Sequence, residues 1–204
     1  MSKKPVIVFE GIEGSGKTFY INLISNYLKK KRISYIKFRE PGGSKNSEKI
    51  RNLILSNKNN FNKNTDLLLY LASRSENIDF LKKNYKKKII LIDRFIDSTI
   101  AYQHYGFGID LSLIKKINKH ILKNFEIDFT FLNIVNYKNM KFRLKKRCKL
   151  NRYDKFEKKF YSKVQNGFLK LAAQKKKSYE IINSNLKIEH NKEIVIKKIE
   201  KLIR

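Results

Sequence analysis

Cysteine is nearly absent from this sequence of 204 residues, in which Cys148 is the only one. A single cysteine excludes an internal disulfide and a metal cluster held by several thiolates. Long hydrophobic runs are also missing, since no stretch approaches the roughly 18 apolar residues that a membrane span requires. The basic lead at residues 1–5 is not followed by a cleavage site of small residues. The sequence therefore predicts a cytoplasmic protein without a membrane segment.

Acidic residues are scarce, because 18 Asp and Glu stand against 47 Lys and Arg, which gives a formal net charge of +29. Such a balance favours polyanionic partners. The lysines are nevertheless scattered through nearly every segment instead of forming one basic stripe, which is typical of a solvated surface. We therefore expect non-specific nucleic-acid binding at most. The three histidines, His104, His120 and His190, are isolated and lack the spacing of metal ligands.

Apolar residues, in contrast, are plentiful enough for a core. They make up 41% of the chain, and aromatic residues make up 12%, so the apolar content can offset the ordering cost of folding. A length of 204 residues suits one domain better than two domains joined by a linker. We therefore expect a single domain over residues 1–204.

Short apolar runs alternate with segments of helical periodicity along the chain. This alternation predicts an α/β fold, with a parallel sheet of about five strands flanked by helices on both faces. Ligands of such sheets bind beyond the carboxyl ends of the strands. The predicted strands are 6–9, 33–38, 89–92, 129–135 and 179–182, and the predicted helices are 19–31, 47–55, 65–81, 111–122, 138–146, 157–175 and 192–202.

The loop between the first strand and the first helix fits the phosphate-binding pattern G-x-x-x-x-G-K-[ST] completely. Its glycines let backbone N–H groups close around a phosphate in conformations that side chains would block. Lys17 supplies a mobile cation, and Thr18 offers a hydroxyl to Mg²⁺ at a helix N-terminus, where anions are favoured. A plain glycine turn does not require this Lys-Thr pair. The predicted ATP-binding residues of this phosphate loop are Gly11, Ile12, Glu13, Gly14, Ser15, Gly16, Lys17 and Thr18.

The phosphate loop leaves the acceptor open, because motors, GTPases, ATPases and small-molecule kinases all use it. A GTPase normally carries an N/T-K-x-D motif that reads the base. No credible motif of this kind follows a strand in the sequence. A regulatory GTPase is therefore disfavoured.

Three further segments narrow the choice of acceptor. Residues 39–44 read REPGGS, residues 69–74 read LYLASR, and residues 93–103 read DRFIDSTIAYQ. Together with the phosphate loop, these segments resemble the thymidylate kinase family in motif and in order along nearly the whole chain. The resemblance implies a kinase that transfers the γ-phosphoryl group of ATP to dTMP with Mg²⁺, acting as a homodimer.

Arginines in these segments suit a nucleoside monophosphate as the acceptor. A monophosphate carries about two negative charges, which planar guanidinium groups bind through paired hydrogen bonds. Arg39, Arg74 and Arg94 supply three such groups. A free nucleoside would give them nothing to bind, which argues against a deoxynucleoside kinase, the nearest alternative. A basic nucleic-acid-binding protein regulated by ATP is the more distant one.

Tyr70 lies one helical turn before Arg74 on the same predicted helix face, so its ring could stack on a flat base while the arginine reaches polar atoms. The resemblance implies that Tyr70 stacks on thymine and that Ser98 and Gln103 line the base pocket. Taken alone, Tyr70 could equally be a core residue, and Arg74 could be a surface charge.

Two acidic residues also lie where the resemblance implies chemistry. Asp93 ends an apolar strand, where its carboxylate could hold Mg²⁺ directly or through water. Glu13 is predicted to organise the acceptor sugar, the phosphate-binding arginines or a metal-bound water, and the alternative is an exposed loop charge. Phosphoryl transfer depends mainly on positioning and charge neutralisation, so Lys17 and Arg94 join Glu13 as predicted catalytic residues.

The segment at about 141–158 resembles the family's lid, whose basic residues close over the ATP phosphates and exclude water. Arg152 is the first catalytic candidate here and Arg147 the second, while Arg143 is predicted to contact ATP; a basic solvated helix is the alternative. Asn151 and Asp154 stand where the family commonly has Asp and Glu, which leaves the internal salt bridges of the lid open. The resemblance places Asn183 beside the adenine, again with Asn where Asp is common.

Overall fold

The structure is a computed structural model that describes residues 3–203. Its centre is a sheet of five strands: β1 (Val6–Glu10), β2 (Tyr35–Arg39), β3 (Ile89–Asp93), β4 (Phe129–Ile134) and β5 (Tyr179–Asn183). The strands are all parallel, in the order β2-β3-β1-β4-β5. The predicted α/β class and the number of strands are confirmed.

The helices follow the strands and cover both faces of the sheet. They are α1 (Lys17–Lys30), α2 (Lys45–Leu55), α3 (Lys63–Asn84), α4 (Ile96–Thr99), α5 (Leu111–Leu122), α6 (Tyr137–Lys145), α7 (Lys158–Gln174) and α8 (Ile188–Leu202). A π-helix, Ile100–Gly106, continues α4, and two short 3₁₀ turns lie at Arg152–Lys155 and Lys176–Ser178. No helix within residues 3–203 combines the length and the apolar character that crossing a membrane requires.

Strand β1 has no polar face because both of its sides are covered. Ile7 and Phe9 pack into the cluster that holds α1 and α8, while Val6 and Val8 pack on the opposite side against residues of α3 and α5. Successive side chains of a strand point to opposite faces, so a strand between two helical layers is apolar on both sides, here over residues 6–9. This explains the continuous apolar run that predicted the strand.

The sheet register brings the functional segments to one edge. Asp93 pairs with Phe9 on one side and with Arg39 on the other, so β1, β2 and β3 end nearly level with one another. Because parallel strands end at the same edge, the loops that follow them meet there. The phosphate loop, the REPGGS loop and the DRF turn are therefore neighbours.

Some boundaries differ from the sequence prediction for local reasons. Helix α3 begins at Lys63, two residues early, because the Asn62 side chain accepts a hydrogen bond from Thr65 N at 2.9 Å and caps it. Strand β2 begins at Tyr35, because Ile33 N still donates to Leu28 O at 3.0 Å and closes the end of α1. The sequence identifies residues 93–103 only as a motif, whereas the structure is helical over residues 96–106.

Candidate active site

A cavity of about 660 Å³ opens at the carboxyl ends of β1, β2 and β3. Its walls come from the phosphate loop, the REPGGS loop, helices α2 and α3, the π-helix and the segment before α7. Cations outnumber carboxylates among its lining residues, which suits an anionic ligand. The lining includes Glu13, Lys17, Thr18, Arg39, Arg51, Tyr70, Arg74, Asp93, Arg94, Ser98, Gln103 and Arg147.

The phosphate loop runs unusually close to β4. Gly11 has a φ of +134°, and a Cβ built on it would lie 2.2 Å from the backbone oxygen of Asn133. Gly16 has a φ of +93° and immediately precedes α1. Both glycines are therefore required by backbone geometry, for a close approach in one case and a left-handed turn in the other.

Lys17 is folded back onto the phosphate loop. Its Nζ donates to Gly11 O at 2.9 Å and to Ile12 O at 3.0 Å. Burial, assisted by the nearby guanidinium of Arg94, lowers the pKa of Lys17 to about 8. The Lys17 amine therefore lies inside the cavity and is bound only to two backbone carbonyl groups. A bound phosphate could replace these carbonyl groups as its partner.

Arg143 of α6 joins the phosphate loop to the loop after β5. Its Nη1 donates to Gly14 O at 2.9 Å and its Nη2 donates to Ser184 O at 2.7 Å. Asn183 lies at the end of β5, and its side-chain oxygen accepts hydrogen bonds from N and Nδ2 of Asn185 at 3.1 and 2.8 Å. Arg143 thus contacts the phosphate loop and Asn183 ends β5, and both of these predicted ATP-binding residues lie outside the lining of the main cavity.

Asp93 and Thr18 offer oxygen ligands within the same cavity. Asp93 Oδ1 is buried and has no hydrogen-bond partner within residues 3–203. An unpaired buried carboxylate oxygen is costly unless a donor or a cation satisfies it. Mg²⁺ is commonly held by one or two protein oxygens together with water and substrate phosphates, so this pair fits the predicted Mg²⁺.

Glu13, Arg94 and Tyr102 form one connected group. Arg94 Nη2 lies 2.9 Å from Glu13 Oε1, and the Tyr102 hydroxyl donates to Glu13 Oε2 at 2.5 Å. The guanidinium lies 5.3 Å from the centre of the Tyr102 ring. Burial acts to lower the pKa of Arg94, but Tyr102, Glu13 and Asp93 raise it above its ordinary value. The alternative of an exposed loop charge is wrong for Glu13, which is buried.

Glu10 is a site residue that the sequence reasoning missed. It is 0% exposed, and its Oε1 accepts hydrogen bonds from Phe95 N and Ser98 N at 2.8 and 3.2 Å. The Ser98 hydroxyl donates to Oε2 at 2.5 Å. Burial, with repulsion from Asp97, raises the pKa of Glu10 to about 7. A carboxylate ending an apolar strand just before the phosphate loop was the available signal.

The predicted acceptor arginines differ in their surroundings. The Arg39 side chain is 53% exposed and is paired with Glu48 of α2 at 2.9 Å. Arg74 is only 1% exposed, so the alternative of a surface charge is wrong. Its guanidinium donates to Glu40, Asn118 and Thr99 at distances of 2.6 to 3.0 Å.

Arg51 of α2 is a further cavity residue that the sequence did not single out. Its Nη1 donates to Pro41 O at 2.6 Å, across the REPGGS loop. Burial lowers the pKa of Arg51, and the like charge of Arg39 adds to that effect. No motif marked this arginine, because its relevance depends on which face of α2 meets the cavity.

Tyr70, Ser98 and Gln103 all line the cavity. The Tyr70 ring is half-buried at 6.0 Å, edge-on, from the Tyr153 ring, and burial raises the pKa of Tyr70 to about 12. Gln103 Nε2 is buried without a hydrogen-bond partner in the described part of the chain. An unpaired amide in a cavity wall is suited to bind a polar group of a ligand.

The predicted lid region brings only one of its two catalytic candidates to the cavity. Arg147 Nη1 lies 2.9 Å from Asp154 Oδ1, and its side chain is 44% exposed at the cavity edge. Arg152 instead pairs with Asp66 of α3 and donates to Ile54 O of α2. The lid therefore has one internal ion pair, Arg147–Asp154, despite the substitutions at Asn151 and Asp154, and a second ion pair joins it to α3.

Comparison with known proteins agrees with this geometry. The family model described as thymidylate kinase matches residues 9–195. A thymidylate kinase from Wolbachia pipientis wMel is 39% identical over 170 residues, which are 81% of this chain and 84% of that protein. One from Acholeplasma laidlawii is 36% identical over 198 residues, which are 96% and 98% of the two chains.

A solved structure gives the same answer. The crystal structure of thymidylate kinase from Ehrlichia chaffeensis matches with a TM-score of 0.76 and 32% sequence identity, over 98% of this chain and 99% of that one. The sequence, the sheet topology and the cavity thus point in one direction, and the chain belongs to the thymidylate kinase family.

Proposed function

We propose that this protein transfers the γ-phosphoryl group of ATP to dTMP, giving ADP and dTDP. The observation that carries the proposal is a single cavity that contains both the lysine of a phosphate loop and a cluster of arginines around Arg94. A phosphoryl transfer needs donor and acceptor side by side, with their charges balanced. Membership of the thymidylate kinase family supports dTMP as the acceptor.

On the donor side, the backbone of the phosphate loop and Lys17 would hold the β- and γ-phosphates, and Arg147 would balance charge on the transferred group. Lys17 must then exchange its hydrogen bonds with Gly11 O and Ile12 O for phosphate oxygens. Bound Mg²⁺ would supply further charge neutralisation at the phosphates, with Thr18 and Asp93 as its protein ligands. Arg143 and Asn183 would border the adenine.

On the acceptor side, Arg94 would bind the dTMP phosphate, and its ion pair with Glu13 would orient the guanidinium. Arg39 and Arg51 would add charge from the REPGGS loop and from α2. The thymine would lie against the Tyr70 ring. Ser98, Gln103 and Arg74 would line the base pocket, with Arg74 acting from its buried position.

The decisive experiment measures ADP formation from MgATP with dTMP, dUMP, dCMP, dGMP or thymidine as acceptor. We expect turnover with dTMP far above the rest, and its loss in Arg94→Ala. Arg32→Ala is the matched control, because Arg32 is an exposed arginine with a positive φ outside the cavity. ADP formation that is indifferent to the acceptor would overturn the proposal, whereas turnover with thymidine would indicate a nucleoside kinase.

We further propose that the protein is a cytoplasmic homodimer, as the resemblance to the family implies. Light scattering of the purified protein tests the dimer. The net charge of +29 is expected to give weak DNA binding that disappears with added salt, without any role in the reaction.

A further inference from the structure

Asp66 is a buried carboxylate whose two oxygens are used by two successive residues of the lid. It lies in the first turn of α3 and is 2% exposed. Its Oδ1 accepts from Arg152 Nη2, and its Oδ2 accepts from the Tyr153 hydroxyl at 3.1 Å. A buried carboxylate is tolerated when both of its oxygens are satisfied by charged or polar partners. Asp66 therefore fixes the 3₁₀ turn at the base of the lid to α3.

Arg152 is held by α2 and α3 and lies outside the cavity lining. Its Nε donates to Ile54 O near the end of α2, while its guanidinium lies 4.8 Å from the Tyr153 ring centre and 5.7 Å from that of Phe61. The side chain is only 16% exposed. A guanidinium with two hydrogen-bond partners and two ring contacts is oriented by α2 and α3 and does not line the cavity.

Tyr153 joins the base of the lid to two tyrosines that line the cavity. Its ring lies edge-on to Tyr70 at 6.0 Å and to Tyr102 at 5.8 Å. Its backbone oxygen accepts from the Tyr161 hydroxyl at 2.5 Å, which anchors the turn to α7. Tyr70 is four residues after Asp66 on α3, so it is on the same helix face. The base of the lid and Tyr70, which is proposed to stack on the thymine, are thus packed together.

The opposite side of the turn holds the cation that faces the cavity. Asp154 Oδ1 pairs with Arg147 at 2.9 Å, and Asp154 Oδ2 accepts from Asn151 N at 3.0 Å. The Asn151 side chain in turn accepts from Tyr153 N at 2.8 Å. A continuous set of contacts therefore runs from Asp66 through the 3₁₀ turn to Arg147.

We propose that Asp66 and Arg152 form a positioning pair that fixes the base of the lid on α2 and α3, so that Arg147 is presented to the phosphates. Arg152 acts through Asp66 and does not itself touch the transferred group, which replaces the direct role that the sequence suggested for it. This inference rests on the proposed function, because Arg147 has a task only if phosphates bind beside it. Misplacing such a group by about 1 Å is enough to cost roughly 100-fold in rate.

The test is a double-mutant cycle with Asp66→Asn, Arg152→Gln and the double variant. If Arg152 works through Asp66, each single change lowers kcat by about tenfold or more, and the double variant is no slower than the slower single variant. If Arg152 contacts the phosphates directly, Arg152→Gln lowers kcat by the same factor with Asp66 or Asn at position 66. That additive result would overturn the proposal.

A second readout needs no substrate. Amide hydrogen exchange over residues 146–156 of the ligand-free protein should accelerate in Asp66→Asn and in Arg152→Gln, and no further in the double variant. Lys149→Gln is the matched control, because it removes an exposed cation of the lid and should leave exchange at residues 152–155 unchanged. Unaltered exchange in both single variants would overturn the proposal even if kcat fell.

Arg152→Lys guards against a variant that fails to fold. Lysine keeps the charge but cannot donate to both Ile54 O and Asp66 in the planar manner of a guanidinium, so a positioning role predicts faster lid exchange and a kcat close to that of Arg152→Gln. Wild-type kcat in Arg152→Lys would contradict it. Absence of turnover in the wild-type protein would contradict the proposed function. Hydrogen exchange in the single and double variants would still test the Asp66–Arg152 pair.

Discussion

Glu13 of the phosphate loop and Arg94 after β3 form an ion pair of 2.9 Å across 81 residues of sequence. Arg94 makes this contact from a left-handed backbone conformation, with a φ of 66°. Its backbone N–H also donates to Phe9 O at 3.0 Å, which extends the hydrogen bonding of β1 past the end of β3. The donor motif and the acceptor motif of the sequence are therefore joined before any nucleotide binds.

The left-handed conformation of Arg94 gives a prediction that separates backbone from side chain. Arg94→Ala and Arg94→Gly both remove the guanidinium, but only glycine adopts a positive φ without a Cβ clash. We expect the glycine variant to have a free energy of unfolding about 1 kcal/mol higher than the alanine variant. Urea unfolding measures that difference, and both variants should lose dTMP-dependent ADP formation equally.

Arg32 provides the control for this comparison, since it has a φ of 56° and is exposed away from the cavity. Arg32→Gly and Arg32→Ala should show a similar difference in unfolding free energy and retain full turnover. Equal stability of the two Arg94 variants would mean that the turn after β3 relaxes out of the left-handed region once its side chain is gone.

Lys17 gives a prediction about pH and ATP affinity. Burial lowers its pKa to about 8 in the ligand-free protein, and the charge of a bound phosphate raises the pKa of a neighbouring amine. ATP binding should therefore weaken as pH rises from about 7 to about 9, and binding near pH 8 should take up protons. Isothermal titration calorimetry in buffers of different ionisation enthalpy measures that uptake.

Lys17→Arg is the matched variant, because a guanidinium keeps its proton throughout this range. Its affinity for ATP should be weaker than that of the wild type at neutral pH but should no longer vary with pH. A wild-type affinity that stays constant across the same range would show that Lys17 remains fully charged in the free protein.

The sequence allowed the fold and the position of the phosphate loop to be predicted because both depend on local patterns. The phosphate loop is contiguous, and its glycines are needed where they stand. The parts that could not be predicted depend on distant partners: Glu10 is bound by Phe95 and Ser98, 85 and 88 residues away, and Arg152 meets Asp66 across 86 residues. Family resemblance named Arg152 as a lid cation, but the position of its guanidinium depends on how α2 and α3 pack.

Glu10 gives a prediction about stability and pH. Its pKa is raised from the ordinary 4.5 to about 7, so the folded state binds more protons than the unfolded state between these values. The contribution of Glu10 to the free energy of unfolding is therefore fully present below about pH 4.5 and falls as pH rises to about 7, above which it stays constant. The whole decrease amounts to about 3 kcal/mol. Glu10→Gln should lack this decrease.

Glutamine fits the site without loss of hydrogen bonds. Its oxygen could accept from Phe95 N and Ser98 N, and its amide nitrogen could donate to the Ser98 hydroxyl oxygen. Urea unfolding of the wild type and of Glu10→Gln at about pH 5 and about pH 8 tests the idea, because other carboxylates titrate alike in both. A constant difference between the two proteins would mean that Glu10 stays charged throughout.

Gly11 gives the sharpest test of the phosphate loop. Alanine at this position would place its Cβ 2.2 Å from the backbone oxygen of Asn133, and a backbone atom cannot rotate away as a side chain can. We expect Gly11→Ala to lose about 3 kcal/mol of stability and to abolish MgATP binding, because the loop or the end of β4 must move.

Gly108→Ala is the matched control, since Gly108 has a φ of +75° but its Cβ would meet no atom of the described chain within 4 Å. That variant should lose only about 1 kcal/mol from backbone strain and keep its ATP affinity. If Gly11→Ala matched Gly108→Ala in both urea unfolding and calorimetry, the close approach to β4 would be dispensable, and backbone conformation alone would account for the glycine.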